Sequence, residues 1–167
     1  MPRRPTRVPP EPIQSDQRPD YPRPPRVEPT AKHIQIIFNG EVVADTHHAV
    51  RVLETSHPPV YYIPLADIRP EYLRPGDGRS FCEWKSEARY YTLEVDGRRA
   101  ENAGWGYPNP ARDFAAIRDH VAFYAAPMDA CLVDGERARP QPGSFYGGWI
   151  TDDVAGPFKG EPGSAGW

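Results

Sequence analysis

The sequence predicts a mainly β protein: a compact antiparallel domain with one or two short helices. Three dipeptides carry this prediction, Asn39-Gly40, Asp96-Gly97 and Asp134-Gly135, because each separates two runs with strand patterning. Asn-Gly and Asp-Gly supply the positive φ angles of type I′ turns, whose twist matches that of paired strands. Three such signals in 167 residues indicate a chain built largely from hairpins.

The runs beside these turns alternate with a period of two, as half-buried strands do. Between 89 and 95, for example, Tyr91, Leu93 and Val95 share one face. Two further runs, 60–63 and 121–124, are rich in β-branched and aromatic residues and read as strands. The predicted strands are 34–38, 41–45, 60–63, 89–95, 98–103, 121–124, 130–133 and 136–139.

Helix is scarce. Residues 110–119 form the best candidate, because Asn109 suits a cap, Pro110 suits the first helical position, and Phe114 and Ile117 lie three apart. A weaker turn is predicted over 65–72, interrupted by Pro70.

The first 30 residues differ sharply from the rest of the chain. They hold ten of the 22 prolines and six arginines but few aliphatic residues, too few to offset chain entropy by burial. We therefore predict a disordered Pro/Arg-rich arm over 1–30 and a β domain over 31–167. A strap along the domain surface, which Val8, Ile13, Tyr21 and Val27 could anchor, is an alternative for the arm.

The C-terminal stretch 141–167 combines seven glycines with five aromatic residues. Disordered tails are poor in aromatic residues. We therefore expect an irregular but ordered tail that is pinned by its rings against the sheet.

Overall composition limits the function classes. The net charge of −3 disfavours nucleic acid as the main partner, since phosphate binding needs a basic field. No run is long and apolar enough to span a membrane, and no secretory leader is visible. A cytoplasmic protein is expected, and edge strands leave a homo-oligomer open.

Two polar residues close together, Arg51 and Glu54, could orient a polar ligand, with Arg51 giving planar bidentate contacts. A structural or solvated ion pair explains them equally well.

Two pairs of aromatic residues could likewise line a ligand site or belong to the core. Tyr61 and Tyr62 point to opposite faces of a strand, so one is expected in the core and the other could line a cavity.

Trp105 and Tyr107 share a face if the chain is extended there, and the intervening Gly106 can mark a bulge or a close approach. Aromatic walls of this kind suit a small-molecule cavity, or equally an ordinary core.

The segment Cys82-Glu83-Trp84-Lys85 carries the most reactive residue types. Lys85 could stabilise a Cys82 thiolate, although a strand would place the two side chains on opposite faces. An inert Cys82 is the simpler interpretation, and Cys131, among apolar strand residues, reads as structural. No motif indicates a metal site, a cofactor or a phosphate-binding loop.

Six blocks of sequence form a recognisable series: Ile36 to Asp45, Arg51 to Glu54, Pro59 to Pro64, Cys82 to Lys85, Asn102 to Pro108, and Val121 to Tyr124. Taken in this order, they resemble the DUF427 family. The resemblance covers roughly 33–167, and the ending Gly147-Gly148-Trp149-Ile150 is similar to an actinobacterial branch.

The resemblance implies a bent antiparallel sheet of the β-tent type with a surface cavity. The positions that match family motifs are Arg51, Glu54, Tyr61, Tyr62, Cys82, Trp84, Lys85, Trp105 and Tyr107. The family is one of unknown function that is also labelled nucleotidyltransferase-like.

The sequence therefore suggests three functional hypotheses. In the first, a small polar-aromatic ligand binds between Trp84, Trp105 and Tyr107, oriented by Arg51, Glu54 and Lys85. Tyr61 and Tyr62 line that pocket, and Cys82, Lys85 and Glu54 would carry any reaction. In the second, the arm and the aromatic tail form a protein-interaction module. The third is nucleotidyl transfer.

Overall fold

The computed structural model describes residues 26–54, 57–82, 86–141 and 147–152, and only the backbone is described for 78–82 and 86. Strands dominate this part of the chain, so the predicted mainly β class is confirmed. The strands are β1 (Arg26–Pro29), β2 (Ile34–Phe38), β3 (Glu41–Thr46), β4 (Val50–Leu53), β5 (Val60–Pro64), β6 (Leu73–Cys82), β7 (Ser86–Val95), β8 (Arg98–Gly106), β9 (His120–Phe123), β10 (Ala130–Val133), β11 (Glu136–Arg137), β12 (Arg139–Pro140) and β13 (Trp149–Ile150).

The three predicted hairpins form, and their turns have the backbone φ angles that Asn-Gly and Asp-Gly sequences favour. Asn39 and Gly40 have φ angles of 51° and 81°, and the Asp96-Gly97 and Asp134-Gly135 turns repeat these positive values. Both central residues of a type I′ turn need φ above zero, which explains the Asn or Asp followed by Gly. These turns join β2 to β3, β7 to β8, and β10 to β11.

Two antiparallel sheets contain most of the strands. The larger has seven strands in the order β1-β4-β5-β9-β8-β7-β6, and the smaller has four in the order β11-β10-β2-β3. The inter-sheet core draws on both, with Ile34 and Ile36 from β2 meeting Ile63 and Phe123 from the larger sheet. Strands β12 and β13 pair separately.

The last residues of the predicted arm that the structure describes form a strand. Strand β1 pairs with β4, in a register that places Val27 opposite Val52 and Glu28 opposite Arg51. The last residues of the predicted arm therefore belong to the sheet, because a Pro is tolerated at the end of an edge strand. Val27 is partly buried there. Residues 1–25 lie outside the described residues.

The predicted helix over 110–119 is wrong in type and in length. A 3-10 segment spans Arg112–Ile117, and it is kinked at Phe114, which has non-helical angles. Phe114 and Ile117 are both buried, and spacing by three satisfies a 3-10 turn as well as an α-helix. So short a segment gains too few hydrogen bonds to impose α-helical geometry. The predicted turn over 65–72 consists of two 3-10 turns, Leu65–Asp67 and Pro70–Tyr72.

The C-terminal tail is anchored by an aromatic ring, as predicted, in the part that is described. Trp149 is 1% exposed and lies in the inter-sheet core beside Tyr61. The other aromatic residues of the tail, Phe145, Tyr146, Phe158 and Trp167, lie outside the described residues. Among the residues that are described, no helix is long and apolar enough to cross a membrane.

Cys131 provides a test of the inter-sheet core. Burial raises the pKa of its thiol to about 12 from an ordinary value of 9.0, an effect that the Arg137 charge only partly offsets. The unfolded thiol ionises first, so folding loses this contribution as pH rises above 9. We expect urea unfolding to show about 1 kcal/mol less stability at pH 10 than at pH 8 from this group. The Cys131→Ala variant should lack that increment, and equal pH dependence in the two proteins would contradict the assignment.

Candidate functional site

The two faces of the seven-stranded sheet are covered differently. One face packs on the four-stranded sheet and forms the inter-sheet core. The opposite face carries a second cluster whose members come from the larger sheet, its loops and the turn Arg112–Ile117. We call five of its aromatic residues the outer aromatic cluster: Tyr62, Tyr90, Trp105, Tyr107 and Tyr124.

The rings of the outer aromatic cluster contact one another. Trp105 meets Tyr62 edge-on, with centroids 6.4 Å apart, and its indole N–H donates a hydrogen bond of 3.3 Å to the Tyr62 hydroxyl. Tyr107 lies 6.3 Å from Tyr62, and Tyr124 lies 4.6 Å from Trp105. Such tilted and edge-to-face contacts are the favoured geometries of aromatic pairs.

Exposure divides the cluster into a floor and a rim. Tyr62, Trp105 and Tyr107 are buried, whereas Tyr90 and Tyr124 are half-buried. Burial, and then the nearby Tyr90, raise the pKa of the Tyr124 phenol above its ordinary value. The environment of Tyr124 thus disfavours the charged phenolate.

Trp105 lies on this face because it pairs with Tyr90, and a bulge in β8 precedes it. Tyr91 pairs with Gly104 but Leu93 pairs with Ala100, so three residues of β8 lie opposite one residue of β7. Ala103 packs in the inter-sheet core, whereas Trp105, two residues later, lies in the outer cluster. The bulge adds two residues, an even number, so Ala100 and Gly104 keep the inner face and Trp105 the outer one, whereas Ala103, inside the bulge, turns toward the inter-sheet core.

Asn102 holds the bulge. It has a φ of 51°, its backbone N–H donates to the Thr92 hydroxyl at 3.0 Å, and its side-chain oxygen accepts from the Asp77 N–H at 2.8 Å. Asn tolerates the left-handed conformation better than most residues. The sequence offered this residue as part of a motif but held no sign of its conformation.

Arg51 lies on the other side of the sheet. It pairs in register with Tyr61, so the two side chains share a face, and Tyr61 belongs to the inter-sheet core. The Arg51 guanidinium donates two hydrogen bonds to one oxygen of Glu28, at 2.7 and 2.5 Å. The structure therefore separates Arg51 and Tyr61 from Tyr62, Trp105 and Tyr107.

The remaining candidates are only partly described. Glu54 follows β4 and is half-buried, and its carbonyl accepts a hydrogen bond from the His57 N–H. Cys82 ends β6, where its backbone pairs with that of Ser86, but its side chain is not described. Trp84 and Lys85 lie outside the described residues. Within the described part of the chain, no group of three or more His, Cys, Asp or Glu residues could hold a metal ion.

The order of the motifs along these strands is matched by a known family. A family model described as a domain of unknown function, DUF427, covers residues 26–134. The chain belongs to the DUF427 family. No curated protein shows significant similarity to it. The match begins at the first residue of β1, and the DUF427 region contains every member of the outer aromatic cluster.

The Asn102 bulge of the DUF427 domain can be tested by two substitutions. Asn102→Ala removes the acceptor for Asp77 and leaves a side chain less tolerant of positive φ, so we expect a loss of about 2 kcal/mol. Asn102→Gly removes the acceptor but permits the conformation, so its loss should be about half as large. Urea unfolding measures both. Equal stability of the two variants and the wild type would contradict the role given to Asn102.

Proposed function

We propose that the outer aromatic cluster binds a small ligand that carries both an aromatic ring and polar groups. The observation that supports this most directly is the gathering of five aromatic residues on the sheet face that the second sheet leaves uncovered. Ligand sites are typically lined by aromatic side chains with a few polar groups that fix orientation. Here the tyrosine hydroxyls supply those polar groups.

The division into floor and rim supports the same proposal. The buried floor of Tyr62, Trp105 and Tyr107 is held in place by ring contacts, so it changes little when a ligand arrives. The half-buried Tyr90 and Tyr124 still present ring surface that a ligand can cover. Stacking on such a ring contributes about 1–3 kcal/mol and tolerates many ring systems.

The polar and reactive roles drawn from the sequence remain predictions. Arg51 is held by Glu28 on the opposite side of the sheet, so the proposed ligand is oriented by tyrosine hydroxyls rather than by Arg51. A reaction carried by Cys82, Lys85 or Glu54, nucleotidyl transfer, an interaction module built on the arm and the tail, a homo-oligomer and a cytoplasmic location all stay as further predictions.

Ligand binding can be tested by NMR titration with two defined probes, adenosine and 4-hydroxybenzoate. The Trp105 indole N–H resonance, assigned with Trp105→Phe, reports on the cluster because that N–H lies beside Tyr62. We expect saturable shifts of this resonance with at least one probe. Tyr124→Ala should weaken binding roughly ten-fold, since about 1.4 kcal/mol of stacking is lost.

Tyr72→Ala is the matched control, because Tyr72 is also partly buried but packs against the inter-sheet core. Its affinity for the probe should equal that of the wild type. The absence of a saturable shift with both probes, or equal weakening by both tyrosine substitutions, would overturn the proposal. ATP with Mg²⁺ serves as a third sample, in which transfer of labelled nucleotide to an acceptor would favour the nucleotidyltransferase hypothesis instead.

A further inference from the structure

Gly147 lies directly against the outer edge of the Trp105 ring. A Cβ atom added at Gly147 would overlap the Cη2 atom of Trp105 and would lie 2.9 Å from Cζ3 and 3.0 Å from Cζ2. Real Cβ atoms almost never approach other heavy atoms so closely. The fit over Trp105 therefore depends on the absence of a side chain at position 147.

The backbone beside Gly147 is fixed by several hydrogen bonds. The Gly148 N–H donates to the Gln141 side-chain oxygen at 3.2 Å, and the Gly148 carbonyl accepts from the Gln141 N–H at 3.1 Å. The Trp149 N–H donates to the Pro59 carbonyl at 3.0 Å, and the buried Trp149 ring follows immediately. The hydrogen bonds of Gly148 and Trp149, on its C-terminal side, thus fix the position of Gly147 against Trp105.

This contact joins a part of the chain that the DUF427 model matches to a part that lies beyond the match. Trp105 lies inside the region matched by the DUF427 model, whereas Gly147 and its anchors Gln141 and Trp149 follow the end of that match at residue 134. Nothing in the family match therefore accounts for a backbone segment over the ring that forms the floor of the outer aromatic cluster.

We propose that Gly147 is a positioning residue of the ligand site, an inference that rests on the proposed function. Its backbone closes one edge of Trp105 and holds the indole so that its N–H points to the Tyr62 hydroxyl and its ring lies 4.6 Å from Tyr124. A side chain at 147 displaces the ring, and the displacement alters the surface that an aromatic ligand contacts between Trp105 and Tyr124.

The test is Gly147→Ala in the full chain, read by two measurements. The first is the Trp105 indole N–H resonance without ligand, which should shift because the hydrogen bond to Tyr62 is disturbed. The second is the affinity for whichever of adenosine or 4-hydroxybenzoate binds the wild type, which should fall roughly ten-fold, the equivalent of losing one stacking contact.

Gly40→Ala is the matched control. Gly40 has a φ of 81°, and no atom lies within 4 Å of the position that a Cβ would take, so Ala strains the backbone there without touching Trp105. We expect it to lower stability while leaving the Trp105 resonance and probe affinity unchanged. If Gly147→Ala does not fold, Gln141→Ala replaces it, because it removes the acceptor that anchors Gly148 and should shift the same resonance.

The outcomes separate this inference from the proposed function. An unshifted Trp105 resonance in folded Gly147→Ala overturns the positioning role whether or not any probe binds. A shifted resonance with wild-type affinity overturns the link to the ligand while leaving the proposed function standing. A wild type that binds neither probe defeats the proposed function and, with it, the ligand part of the inference, whereas the resonance still decides whether Gly147 positions the ring.

Discussion

Replacing Trp149 by Ala should destabilise the domain by about 3–5 kcal/mol, the range for removing a large buried ring. Trp149 is 1% exposed, packs against Tyr61 with centroids 5.4 Å apart, and donates its indole N–H to the Phe123 carbonyl at 2.9 Å. The substitution opens a cavity in the inter-sheet core and leaves a buried carbonyl without its donor. Urea unfolding followed by far-UV circular dichroism measures the loss.

Two further variants divide this effect into its parts. Trp149→Phe keeps a ring in the core but removes the N–H, so its cost should be about 1–2 kcal/mol. Leu65→Ala, at a side chain that is 37% exposed, should cost less than about 1 kcal/mol. If Trp149→Ala stays within about 1 kcal/mol of the wild type, the tail is not part of the core.

Replacing Glu28 by Gln should cost about 2–3 kcal/mol. Arg51 is buried, with 10% of its side chain exposed, and Glu28 is 30% exposed, so the neutral variant leaves a largely desolvated guanidinium without its carboxylate. Breaking a fully buried pair costs about 3–5 kcal/mol, and the partial exposure of Glu28 reduces that figure. Thermal and urea unfolding at neutral pH both report it.

The exposed pair between Arg69 and Glu71 is the control. Its atoms approach to 2.8 Å, but both side chains are about half exposed, so Glu71→Gln should cost less than about 0.5 kcal/mol.

Two truncated chains test how much β1 contributes to the stability of the sheet. A chain that begins at residue 31 loses β1, whereas one that begins at 26 retains it, and the first should be the less stable. Equal stability would show that β1 contributes nothing to the sheet.

Features that depend on neighbouring residues were predictable from the sequence. The three I′ turns formed as predicted, because the positive φ angles needed at Asn39 and Gly40, and at their counterparts, are a local property of those residue types. The same holds for the alternation that sends Tyr61 and Tyr62 to opposite faces, although both proved to be buried. Burial of Cys131 also followed from its apolar neighbours.

Features that depend on distant partners were not predictable. In the sequence, strand β1 reads as part of a Pro-rich arm. Its extended conformation is explained by its pairing with β4. Strand β6 contains Pro75 and Gly76, which argue against a strand unless it lies at an edge, where β6 does lie. Which residues converge depends on strand order, so the sequence could not separate Arg51 from Trp105.

The bulge at Asn102 shows the same limit at smaller scale. Strict alternation would put Ala103 on the face of Trp105, but inside the bulge Ala103 turns to the inter-sheet core instead. A Gly-rich strand signals that a bulge could occur, but not where it falls or which way it turns the chain.

The late position of Trp149 in the chain has a consequence for how this protein is made. Synthesis runs at about 5–20 residues per second, so roughly one to three seconds separate the appearance of Val133 from that of Trp149. During that interval, Tyr61 and Phe123 have been translated but lack the ring that covers them in the finished molecule. A nascent chain that ends before Trp149 therefore cannot complete the inter-sheet core.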